Sequence, residues 1–105
     1  MQDFITPPDH VHFLAKKLFG SLKGSVQDGS IAYLQKEGGG PSQPHTHAHN
    51  HLFIVVKGEA KLILDTKTMV LKENEAYLVP GHTPHSVWNN VDRETVMLGI
   101  SIAAE

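Results

Sequence analysis

Cysteine is absent from the 105-residue chain. That excludes thiol nucleophiles, disulfides, iron–sulfur ligation and any zinc site built on thiolates, and it leaves the compartment open. Long apolar runs are also missing, since none approaches the ~20 residues of a membrane span. The opening Met1-Gln2-Asp3-Phe4 has no basic stretch leading into an apolar one. No secretory signal and no membrane partner are therefore expected, and the default location is the cytoplasm. Neither charge sign dominates: nine Lys and Arg against eleven Asp and Glu leave a net charge of -2. That balance argues against a nucleic-acid partner, which needs a basic face. Aromatic residues are few, with four Phe, two Tyr and one Trp, whereas histidine is abundant at eight. With 40% hydrophobic and 19% charged residues, the composition is that of one folded domain with no room for a second core.

Residues 6–19 read as a short helix. Thr6 and Asp9 resemble a capping box, Pro7 suits the first helical position, Val11, Leu14, Ala15, Leu18 and Leu22 keep a stripe, and Gly20 can end it. A strand through 11–19 is the competing reading. Residues 20–29 hold three glycines and read as a loop or weak edge strand. From residue 30 the pattern is all-β, with about seven short strands separated by turns at Gly38–Pro41, Lys57–Glu59, Asp65–Lys67, Pro80–Gly81 and Asn89–Asn90. That rhythm predicts a sandwich or barrel. Residues 1–29 are then an extension packed on a body formed by 30–105.

Four histidines alternate in His45-Thr46-His47-Ala48-His49-Asn50-His51. On one straight strand they would spread over roughly 20 Å at ~3.3 Å per residue, and one metal ion could not collect them. A turn at Ala48-His49-Asn50 resolves this. It places His45 and His47 at the end of one strand, His51 at the start of its antiparallel neighbour, and His49 at the tip. His85, behind Pro80-Gly81-His82-Thr83-Pro84, opens another strand and shares a face with Val87 and Asn89. His51, Phe53 and Val55 share the inward parity, and Trp88 has the parity opposite to His85. Tyr33, Gln35 and Tyr77 are candidate polar groups of a pocket. His10, His12 and His82 read as surface or supporting residues.

At these residues the chain resembles the cupin superfamily, as a small single-domain member. Gly39, His45, His47, His51 and Gly58 fall at the spacings of the family's first motif, with His51 where a Glu is usual. Asn74, Pro80, His82, His85 and Asn89 fall at those of the second, with Asn74 and His82 standing for glycines. The resemblance implies an antiparallel jelly-roll barrel (a double-stranded β-helix), here with a short N-terminal helix. It also implies a divalent transition metal (Fe, Mn, Ni, Zn, Co or Cu) held in the barrel mouth by His45, His47, His51 and His85.

Four neutral imidazoles leave the ion's full +2 charge, which favours a small anionic, bidentate ligand. Two adjacent open positions would suit a metal-dependent oxygenase or isomerase. A different class is a non-catalytic sensor or sugar-binding module. The stretch from Leu78 to Asn89 resembles the ligand-sensing domain of arabinose-type transcription regulators, although no helix-turn-helix follows. A homodimer is expected because an apolar outer stripe at Leu52, Ile54 and Val56, together with open edge strands, needs cover.

Overall fold

A computed structural model of the chain describes residues 3–104, with the side chains of Pro44 and His45 excepted. Eight strands run in order: β1 (Val26–Leu34), β2 (Gly39–His45), β3 (Asn50–Lys57), β4 (Glu59–Leu64), β5 (Thr68–Lys72), β6 (Glu75–Val79), β7 (His85–Asn89) and β8 (Thr95–Ile102). They form two antiparallel four-stranded sheets, ordered β1-β8-β3-β6 and β2-β7-β4-β5. The all-β expectation holds, and the turns expected at Lys57–Glu59, Asp65–Lys67 and Pro80–Gly81 separate strands as read.

Two expectations are corrected. Neither sheet closes into a barrel; the strands divide between two separate sheets. There is also no helix among the described residues. Residues 5–15 instead fold back as a loop, closed by reciprocal backbone hydrogen bonds between Ile5 and Ala15 at 2.8 and 2.7 Å. Asp9 (φ 63°) and His12 (φ 53°) occupy left-handed conformations that interrupt any right-handed helix. The supposed apolar stripe fails with it, for Val11 is 79% and Leu14 57% exposed. Leu18 and Leu22 do pack against the body, but from an irregular strap in which Ser21 takes a left-handed conformation (φ 56°). A spacing of four brings two residues to one face of a helix or of an extended chain, so that pair could not distinguish them.

The main core lies between the sheets. Leu34, Phe53, Val55, Val79 and Met97 from the first sheet face Ala60, Leu62, Leu64, Leu71 and Val87 from the second. β4 shows the expected alternation of buried and half-buried residues. β3 is buried on both faces: Phe53 and Val55 point inward, while Leu52, Ile54 and Ile102 on the outer face meet the strap's Leu18 and Leu22. The outer stripe is thus partly covered within the chain itself, with Val56 left 46% exposed.

One end of the sandwich is locked by side-chain hydrogen bonds centred on Asn89. Its amide nitrogen serves the carbonyls of Leu34, Gln35 and Arg93, while its oxygen accepts from the Val91 amide and the Thr95 hydroxyl. Thr95, fully buried, also accepts from the Glu59 amide. The Asn of the second motif therefore joins both sheets. The other end stays open, and the histidines are there.

Candidate functional site

β2 and β3 are consecutive but lie in different sheets. The bend at 48 and 49 is where it was expected, yet it carries the chain from one sheet to the other, so His51 does not open the neighbouring strand of the same sheet. The approach of His47, His51 and His85 is made across the gap between sheets. His51 begins β3 opposite Val79 and Ser101, and His85 begins β7 opposite Leu64. His45 ends β2, with its backbone in register with His85; its side chain lies outside the described residues.

Two hydrogen bonds clamp the histidine-bearing loops together. The His82 amide donates to the His47 carbonyl at 2.6 Å, and the Gly81 amide donates to Asn50 Oδ1 at 2.8 Å. The two positions where glycine was expected, Asn74 and His82, both adopt left-handed backbone, at φ 64° and 65°. Both turns therefore take a backbone that glycine adopts readily, although neither residue is glycine.

The ring centroids of His47, His51 and His85 stand 5.6 to 6.3 Å apart. An ion about 2.1 Å from a ligating nitrogen sits about 3.2 Å from the ring centroid, so two rings on one ion have centroids roughly 4.5–6.4 Å apart. Each separation falls in that pairwise window, but a point equidistant from all three centroids lies at least about 3.4 Å from each, slightly too far for one ion. As the side chains stand, no group of three or more His, Asp or Glu among the described residues is drawn tightly enough to hold an ion. The expectation of a ready-made site in a barrel mouth is corrected accordingly.

His49 is not an isolated tip. It stacks on His47 with centroids 4.8 Å apart and planes 14° from parallel. Stacked parallel rings direct their in-plane lone pairs side by side rather than toward one point, so His47 and His49 cannot serve the same ion in this arrangement. His82 is exposed and contributes its backbone.

His85 has its Nδ1 2.8 Å from the Thr83 carbonyl. Nδ1–H donation there places the ring's lone pair on Nε2. His51 stacks on Phe53 at 4.3 Å, and its Nδ1 is buried with no hydrogen-bond partner among the described residues. Burial, followed by the charges of His85, His49 and His47, lowers the His51 pKa to about 4. The ring is neutral at physiological pH, the form that ligates metals. Its Nε2 is directed toward Gly99, where a Cβ would come within 3.0 Å.

These rings border a cavity of about 310 Å³ between the sheets. Its apolar walls come from Ala32, Leu34, Phe53, Val87 and Met97. Ser30, Met97 and Gly99 were missed from the sequence, although the alternation Thr95, Met97, Gly99 in the last strand carried the signal. Tyr33, Gln35 and Tyr77 are not among the lining residues. Tyr33 is 59% exposed, Gln35 donates to Glu94 at 2.7 Å on the surface, and Tyr77 packs against the core. No helix among the described residues is long and apolar enough to cross a membrane.

The chain is thus a two-sheet antiparallel sandwich with imidazoles clustered beside a cavity at its open end. Residues 33–101, more than half of the chain, match the Cupin domain family, and the chain belongs to that family. It is 28% identical over 94 residues to auxin-binding protein 4 of Zea mays, covering 80% of this chain and 46% of the relative. The chain thus spans about half that protein's length. Among solved structures, an RmlC-like cupin from Shewanella frigidimarina superposes with a TM-score of 0.64 at 20% identity, covering 80% of this chain and 71% of that one. The Cnp3 cupin domain of Schizosaccharomyces pombe gives 0.68 at 12% identity, covering 82% and 61%. At these identities the likeness concerns the fold alone.

Proposed function

We propose that the chain is a small-molecule-binding cupin whose pocket takes one divalent transition metal on His47, His51 and His85, with His45 as the fourth ligand. The observation that carries this reading is the buried Nδ1 of His51, without a hydrogen-bond partner among the described residues, in a nest of imidazoles. A buried polar atom without a partner costs roughly 1–3 kcal/mol. A positive ion held by this cluster would offset that cost. When bound, the metal supplies Lewis acidity and a template for orienting a small ligand.

The chain's own residues divide the remaining work. Thr83 fixes the tautomer of His85, the clamp between the two loops holds His47 against His82, and Phe53 supports His51 from below. The described titratable groups of the pocket are all imidazoles, so a proton moved inside it passes through imidazole. The maize relative, named as auxin-binding, is in keeping with small-molecule binding.

The test is metal analysis of untagged protein prepared without added nickel, followed by calorimetric titration of the metal-free chain. One equivalent per chain is expected. His51→Ala and His85→Ala lose most of the affinity, and His82→Ala retains it. Absence of uptake, or equal loss in all three variants, overturns the ligand set.

A further inference from the structure

The pocket is chemically lopsided. Its polar groups gather at the imidazole end, while Ala32, Leu34, Phe53, Val87 and Met97 make up the body of the cavity. Among the described lining residues the only hydroxyl is that of Ser30, and no Asp, Glu, Lys or Arg side chain reaches the cavity. Phe53 lies at the junction, stacked on His51 and edge-on to His85 with centroids 6.0 Å apart. Gly99 brings bare backbone to the same place, 3.8 Å from a Phe53 ring carbon as judged from where its Cβ would stand. At about 310 Å³ the space is at the small end for ligand pockets.

We infer that the ligand has a compact apolar body, the size of a single six-membered ring, with one acidic or chelating head, and that the pocket discriminates against polyhydroxylated and phosphorylated molecules. This rests on the reading above only for the head group. A sugar-like body would bring several hydroxyls against Leu34, Val87 and Met97, each left unpaired and each lowering affinity roughly tenfold or more. A phosphate would find neither a guanidinium nor an ammonium group to pair with. An apolar ring gains by the same contacts, and an aromatic one gains further on Phe53 through offset or edge-to-face contact. The head then meets the imidazole end, where His47, His51 and His85 supply the polar partners.

Mandelate and gluconate separate the two cases, because both carry an α-hydroxycarboxylate head and they differ in the body. Each is titrated calorimetrically into the full chain loaded with Co(II) and dialysed free of excess metal, and again into the metal-free chain. The expected result is at least tenfold tighter binding of mandelate than gluconate. Two variants place the effect in the pocket. Phe53→Leu keeps an apolar core residue but removes the ring, and Ala32→Asn adds an amide from the exposed edge strand without emptying the core. Both lower mandelate affinity severalfold per bound cobalt, and Ala32→Asn does so with cobalt content unchanged. Gluconate binding as tight as mandelate, indifference of mandelate to both variants, or binding of neither molecule in either form overturns the inference. If the chain takes up no cobalt but the metal-free form still prefers mandelate, the metal reading fails and this one stands.

Discussion

Burial keeps the His51 ring neutral until about pH 4, whereas in the unfolded chain it takes up a proton near pH 6.5. Between these values the unfolded state binds the proton that the folded state refuses, so folding stability falls as pH drops through this window and the loss is complete below about 4. Solvent access to the half-buried ring reduces the effect to roughly 1–2 kcal/mol. His51→Phe, which replaces a partnerless polar ring with an apolar one of similar size, should remove this slope from urea-unfolding midpoints of the metal-free protein between pH 7 and 4.5. At His82, which holds a left-handed backbone at φ 65°, His82→Gly should raise stability by about 0.5–1 kcal/mol, read as a higher denaturation midpoint. Asn89→Ala should lower it by about 2–4 kcal/mol in the same assay, since it strips partners from the buried Thr95 and from three carbonyls. Much of the site was legible from residue spacing: the bend at His49, the shared face of His51 with Phe53, and that of His85 with Val87. The stacking of His49 on His47 was not, because it depends on how a loop crosses between sheets, which no local pattern encodes.

Among the elements, the strands announced themselves and the N-terminal segment did not. From β3 onward, short alternating runs end at Gly, Pro, Asn and Asp, and the period of two leaves little choice. β2 was hidden because Gly39-Gly40-Pro41 reads as a breaker, yet it pairs with β7 beginning at Gly39 opposite Trp88. The strap was misread because Leu18 and Leu22 satisfy two periodicities at once, and the exposure of Val11 and Leu14 is settled by tertiary contacts. What holds the strap is burial of Leu18 and Leu22 over Leu52, Ile54 and Ile102. Replacing both strap leucines by Ala should cost about 2–4 kcal/mol and raise the binding of a hydrophobic dye to the native protein, as the outer face of β3 becomes accessible.

For the whole molecule, the radius of gyration is 14.7 Å, above the ~13 Å of a compact chain of this length. The spread comes with apolar exposure: Ile31 and Tyr33 on the outward-facing side of edge strand β1 are 54% and 59% exposed, and Phe13 and Phe19 earlier in the chain are 47% and 44% exposed. We propose that a second copy covers this side, giving a dimer of twice 11.5 kDa by light scattering at micromolar concentration; a monomer mass there refutes it. The distribution of work along β7 has another consequence. Its first residue, His85, borders the cavity at the open end, and its last, Asn89, secures the opposite end, about 13 Å away at strand spacing. Recognition and architectural integrity therefore draw on separate stretches of the same strand. Substitutions confined to the imidazole end leave the lock at Asn89 untouched, which makes that end a natural target for laboratory selection.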